Sequence, residues 1–304
     1  MSSKPQSAEV HGITVQKGGV GKSTYSHALA YAFAIQGLKT LIIDVDPQAT
    51  LTGAFFGFRG EDTFGGDNVS NITNIYKKRR VEPIKIKTTK FIENPNKGKM
   101  HQPHYLEEEI EIDFIPANSE LLEIMEGDDF KYTEKIDVIV NFVESLRDKY
   151  DKIILDAPPS FGIITKAILK SSDSIIVPIP TKNVDTDGMV GFFYKLDKLF
   201  ADNKEIRLKK AIVVPSMFDK RVKDSKQTLH SIKLIPNFLQ NTKCLRNLKC
   251  TVLEPFPQKS CVQEAPSFNM FLAHYIMDYD RSNMDLILKI NKIAKELSDL
   301  KAVN

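Results

Sequence analysis

Residues 17–24 read KGGVGKST, and few stretches leave a backbone so little choice. An apolar run, VHGITV at 10–15, leads in as a strand, and a helical pattern from Lys22 to Ile35 leads out. Glycines between strand and helix let consecutive N–H groups turn inward toward phosphate oxygens, and the helix N-terminus adds its positive dipole end. Gly18, Gly19 and Gly21 supply the curl, with Lys17 and Thr24 at the ends of the cradle. In such a loop Lys22 reaches the β- and γ-phosphates, and the Ser23 hydroxyl ligates Mg²⁺. The spacing departs from G-x-x-x-x-G-K-[ST] at one place. The first glycine is due at 16, where Gln16 stands, and a second lysine, Lys17, follows it. A glycine-rich turn with no ligand is the plainer alternative, and the agreement of strand, loop and helix weighs against it.

Around this loop, short β-branched runs alternate with longer helical patterns, as a parallel sheet covered by helices requires. LKTLIID (38–44) and IEIDFIP (110–116) read as strands, and the runs KIILD (152–156), SIIVPI (174–179) and AIVVP (211–215) are apolar enough to be buried on both faces. Helices are predicted over 136–146 and over about 283–302, where Leu286, Ile290, Ile293, Leu297 and Leu300 form one stripe. The fold class is α/β, a doubly wound, mostly parallel sheet flanked by helices, read as a single domain over 1–304. The pattern breaks over 57–109, an extended insertion in which VSNITNIY fits a short helix and VEPIKIK a strand.

Composition narrows the class further. Lys and Arg number 42 against 39 Asp and Glu, too even a balance to make the whole chain a nucleic-acid binder. The three cysteines, at 244, 250 and 261, match neither a disulfide framework nor a C-x-x-C motif. MSSKPQSAEV has no apolar core of a signal peptide, and no stretch approaches the length of a membrane span. The expectation is a reduced, water-soluble, cytoplasmic protein. His101 and His104 are too few for a metal site and read as loop residues.

Carboxylates gather where such sheets bind ligands. LIIDVDPQ (41–48) puts Asp44 and Asp46 at the carboxyl end of the second strand, and alternation sends both side chains to one face. KIILDAPPS (152–160) ends a buried strand on Asp156, where the carboxylate can hold Mg²⁺ through water.

Together these segments resemble the deviant Walker A loop family of P-loop NTPases, the ParA/MinD/nitrogenase-iron-protein superfamily, and within it ParA/Soj-type partition ATPases. FIPANSEL (114–121) is similar to that family's strand-to-helix junction, and EAPSF (264–268) to its adenine-side signature, with Pro257 of FPQ against the base. The resemblance covers 11–56 and 110–303. It implies that Lys17 reaches across a dimer interface to the other subunit's ATP, that Asp46 positions the attacking water, and that Asp-Pro-Gln and Pro158-Pro159 belong to two switches. An extra ammonium there neutralises charge developing in the transition state, as an arginine finger does.

The iron-protein branch needs cluster-ligating cysteines, and none precedes Cys244. The MinD branch carries a membrane-binding helix after the last core helix, whereas the 283–302 stripe reads as core packing. The partition branch binds DNA, and local charge agrees: residues 204–250 hold twelve Lys/Arg against three Asp/Glu, and residues 77–99 nine against two. SMFDKR (216–221) resembles the partition segment whose arginine contacts DNA, which selects Arg221, with Lys223, Lys226 and Lys259 beside it. The family's second DNA-contact arginine falls at Cys261. No helix-turn-helix precedes the loop, so operator recognition is not expected.

The resemblance therefore implies an ATPase of weak intrinsic activity that uses ATP and Mg²⁺ and closes as a homodimer. It coats nucleoid DNA non-specifically and is switched off when a ParB-like centromere-binding partner stimulates hydrolysis. No membrane partner is expected. The alternative is a positioning ATPase of the same superfamily, MinD-like or McdA-like, acting on a protein complex or a membrane surface. A metabolic ATP-dependent ligase shares the loop but gives no reason for Lys17 or EAPSF.

Overall fold

The computed structural model describes residues 7–14, 19, 21–57, 70–93, 105–182, 186–203, 206–267 and 270–298. Eight strands share one sheet: β1 (Glu9–Ile13), β2 (Thr40–Asp44), β3 (Ile84–Glu93), β4 (Tyr105–Ile115), β5 (Lys152–Asp156), β6 (Ser174–Pro180), β7 (Lys210–Ser216) and β8 (Lys249–Val252). Their order is β3-β4-β2-β5-β1-β6-β7-β8. Every neighbouring pair is parallel except β3 with β4.

Side-chain alternation explains why the sheet is covered on both sides. Ile42, Ile154, Ile176 and Ile212 join the core on one face, beneath α1 (Lys22–Ala34), α10 (Leu272–Tyr279) and α11 (Met284–Ser298). Leu41, Ile43, Ile153 and Leu155 face the other way, toward α4 (Tyr132–Leu146) and α5 (Ile163–Ser171). Ile175, Val177 and Val213 continue that second face under α6 (Thr186–Asp202), α7 (Lys223–Lys233) and α8 (Ile235–Gln240). Strands with both faces buried read as near-continuous apolar runs, which is the signature that 152–156, 174–179 and 211–215 carry. Burial on all sides also leaves α1 without a polar face, since Tyr25 through Ala34 are all buried. Gly12 has a definite reason to be glycine. A Cβ there would lie 2.7 Å from Ile168 Cγ2 and 2.8 Å from Ser172 Oγ, so β1 could not approach α5 as it does.

Two sequence expectations change at the sheet edge. The strand expected at 110–116 runs from Tyr105 to Ile115 and pairs antiparallel with all ten residues of β3. VSNITNIY yields a 3-10 turn at Ile72–Ile75, held by Asn71, whose side chain accepts the Thr73 N–H. The stripe of α11 does pack inward: Leu286, Ile290, Ile293 and Leu297 are buried, while Leu300 lies outside the described residues. Among the described residues no helix is long and apolar enough to cross a membrane.

Candidate functional site

The strands that carry the motifs lie side by side in the middle of the sheet, in the order β2, β5, β1. Asp44 and Asp156 are register partners at the ends of β2 and β5, so the chemistry of three segments converges on one edge. Gly21 takes the N-cap of α1 at φ 90°, a left-handed conformation that suits glycine, and Gly19 sits at φ 72°. No side chain caps α1, so its first amides are left to face the cleft, as an anion-binding helix start requires. Lys17 and Gly18 lie outside the described residues.

A cleft of about 480 Å³ opens here, within the usual range for small-molecule sites. Gly19, Gly21, Lys22, Ser23, Thr24 and Asp46 line one end, and Met217, Pro257, Gln258 and Lys259 the other. Of the sequence-selected residues, the structure thus brings Gly19, Gly21, Lys22, Ser23 and Thr24 together with Asp46, Pro257 and Lys259. The Ser23 hydroxyl donates to Asp156 Oδ2 at 2.7 Å. A hydroxyl and a carboxylate of that spacing are hard oxygen donors, a set suited to Mg²⁺ completed by phosphate and water. Among the described residues no cluster of three or more His, Cys, Asp or Glu competes as a metal site.

Sequence reasoning missed Ser26, whose hydroxyl donates to Asp156 Oδ1 at 2.7 Å. The spacing i, i+3 from Ser23 on one helix face was the available signal. It also sent the side chains of Asp44 and Asp46 to one face, and here the structure differs. β2 ends at Asp44, so alternation does not extend to Asp46, which lies in the following turn and lines the cleft. Asp44 is fully buried behind it. Burial, with Asp156 close by, pushes the Asp44 carboxyl up from its ordinary range. Asp156 is likewise raised by burial, against the opposing pull of its Ser23 and Ser26 bonds. Asp46 is raised by burial too, moderated by the Gln48 N–H and by the Lys22 charge.

The basic segments look different once folded. In β3, Lys85 and Lys87 pair with Glu111 and Glu109 at 2.6 and 2.9 Å, and Lys90 lies 3.8 Å from Glu108. Three of the nine cations over 77–99 are therefore matched by carboxylates of the neighbouring strand. Within 204–250, Lys210 is buried beside Glu296 and Arg207 pairs with Glu144 at 3.0 Å. The run of Lys220, Arg221, Lys223, Lys226 and Lys233 is exposed, together with Lys209, Lys243, Arg246 and Lys249, with Lys259 exposed at the cleft. Arg221 donates from Nε and NH2 to the two carboxylate oxygens of Asp219, each at 3.0 Å. Cys261 begins α9 (Cys261–Ser267) and is fully buried, its thiol pushed up to about 11 chiefly by burial.

The comparisons with known proteins agree with this geometry. A family model described as an AAA domain matches residues 8–210. The chromosome partitioning protein ParA of Myxococcus xanthus is 24% identical over 265 residues, covering 82% of each chain. Among solved structures, pNOB8 ParA bound to nonspecific DNA superposes with a TM-score of 0.68 at 18% identity, covering 98% of this chain and 100% of that one. Cyanothece McdA superposes at 0.66 with 17% identity, covering 95% and 99%. With the phosphate loop, the paired strand-end carboxylates and the eight-stranded sheet already in place, the match over two thirds of its length makes this chain a member of the ParA/MinD-type family of partition ATPases.

Proposed function

We propose that the chain is a DNA-segregation ATPase that binds ATP with Mg²⁺, closes as a homodimer, coats DNA non-specifically, and is released when a ParB-like partner stimulates hydrolysis. The observation that carries this reading is the convergence of Lys22, Ser23, Asp46 and Asp156 on one cleft beside an exposed basic patch. Ser23 and Asp156 would hold Mg²⁺, which supplies charge neutralisation on the phosphates. Lys22 steadies the same charge from within the subunit, and Lys17 from the other subunit of the dimer. Asp46 accepts a hydrogen bond from the attacking water and orients it, and hydrolysis cleaves ATP to ADP and phosphate with weak intrinsic turnover. Arg221, Lys223, Lys226 and Lys259 contact DNA phosphates without reading bases. A protein working this way is cytoplasmic and nucleoid-associated. The alternative, a McdA-like positioning ATPase, is favoured by one observation: Arg221 already has a carboxylate partner.

The test is duplex-DNA binding with ADP, ATP and a slowly hydrolysed analogue across a salt series. Binding confined to the triphosphate states, weakening steeply with salt, is expected. ATP-driven dimerisation with no DNA binding in any state would overturn the DNA reading and leave the positioning ATPase. Asp46→Ala should keep ATP-dependent dimerisation and DNA binding while losing turnover. A variant that stays monomeric with ATP would show that Asp46 has been given the wrong role.

A further inference from the structure

We propose that Asp44 and Thr52 are positioning residues that tie the water-orienting Asp46 to the end of β4, a role that rests on the ATPase reading above. Asp44 does not line the cleft, and its carboxylate is spent on the chain around it. Its Oδ1 accepts the Asp46 N–H at 3.0 Å. Its Oδ2 accepts both the N–H and the hydroxyl of Thr52, at 2.9 and 2.8 Å. The Thr52 oxygen in turn accepts the Ala117 N–H at 3.1 Å, just past the end of β4. Two fully buried side chains thus join three segments: the turn after β2, the first turn of α2 (Thr50–Phe56), and the strand-to-helix junction before α3 (Glu120–Glu126).

The consequence for Asp46 is geometric. Its backbone is fixed from one side by Asp44 and from the other by the Ala49 N–H, which donates to the Asp46 carbonyl at 2.8 Å. Its side chain is aimed by the Gln48 N–H, which donates to Oδ1 at 3.0 Å. That turn includes Ala49 at φ 49°, a left-handed conformation unfavourable for alanine that persists where surrounding bonds over-determine it. Thr52 is the only one of the linking groups that both donates to Asp44 and accepts from Ala117, so its hydroxyl is the joint of the tie. Leu122 and Met125 of α3 share a second groove, of about 430 Å³, with Asp46, Pro47 and Gln48. A displacement of the junction at Ala117 is therefore carried to the residue that sets the water.

The test compares Thr52→Val, which removes the hydroxyl at constant shape, with Thr52→Ser, which restores it. Thr52→Val is expected to lower kcat for ATP hydrolysis about 10- to 100-fold, with KM and the Kd for a fluorescent ATP analogue within about twofold of wild type. Thr52→Ser should return most of the turnover, as a side chain that only filled space would not. Without nucleotide, amide exchange of the 45–52 segment should quicken about tenfold in Thr52→Val, and in wild type the Asp46, Thr52 and Ala117 amides should be comparably protected. Unchanged kcat in a folded Thr52→Val, or equal losses in the two variants, would overturn the positioning role while the ATPase reading stands. A wild-type Asp46 amide exchanging as fast as an open loop would also overturn it, even if Thr52→Val does not fold. A wild-type chain with no turnover would sink the ATPase reading and this role together.

Discussion

Arg221 is the residue whose chemistry the fold changes most. Its side chain is 84% exposed yet its guanidinium is held in a bidentate pair with Asp219, and the same pairing holds the Asp219 carboxyl well below its usual range. Planar two-point pairing is the geometry in which arginine also grips a phosphate, so the two partners compete for one fork. Arg221→Ala should weaken DNA binding and shallow the log-log salt slope by about one charge. Asp219→Asn should do the reverse, strengthening binding at a given salt concentration. Equal affinities for both variants and wild type would remove Arg221 from the DNA-contacting set. Some of this was legible beforehand, since the loop, Asp46 and Asp156 announce themselves through residue types that phosphate and Mg²⁺ require. Thr52 and Ala117 were not, because a threonine eight residues from an aspartate carries no mark of the bond between them. The burial of Cys261 was equally hidden, as a thiol is at home in cores and on surfaces alike.

At the scale of elements, the β3–β4 arm separates decorative from structural contacts. Its outer face carries exposed lysine–glutamate pairs, each worth little because water screens both charges. Its inner face packs Ile112 and Phe114 against Phe55 and Phe56, and Thr89 offers its carbonyl to Tyr31 and His274 at 3.1 and 2.7 Å. Lys87→Ala should therefore leave the denaturant midpoint nearly unchanged. Phe114→Ala, which empties a fully buried ring site, should cost about 3–5 kcal/mol. Denaturant titrations of the two variants check this ranking. The same arm shows why parts of the fold were unreadable in sequence. Strands buried on both faces, such as β5 and β6, carry near-continuous apolar runs and stand out. β4 begins with YLEEE, a stretch that pairs only with β3, and β8 is a short KCTV, one exposed and three partly buried residues, with no pattern long enough to recognise.

Taken whole, the molecule keeps two imidazoles in its interior that cannot charge without loss. Burial, with His274 as a neighbour, lowers His27 to about 3, where it stacks on Phe271 at 4.1 Å between ring centroids. Burial and then the charges of Lys152, Lys210 and Arg147 lower His11 well below its ordinary value. Both are neutral in the folded state and take up a proton on unfolding below about pH 6.5, so stability is full above that pH and falls as pH drops toward the folded values. Each contributes a slope of up to about 1.4 kcal/mol per pH unit across that window. Unfolding midpoints measured from pH 7 to pH 5 should decline, and His27→Phe should remove one proton's share of the decline. An unchanged slope in that variant would mean that His27 does not titrate between the two states. The strand order has a consequence of another kind. Chemistry occupies the central strands, whereas the far end of the β3–β4 pair, where Glu93 meets Tyr105, lies on the order of 40 Å of extended chain from Ala117. That distance sets the far end of the arm apart from the cleft, so substitutions near Glu93 and Tyr105 leave the Ser23–Asp156 pair and Asp46 undisturbed.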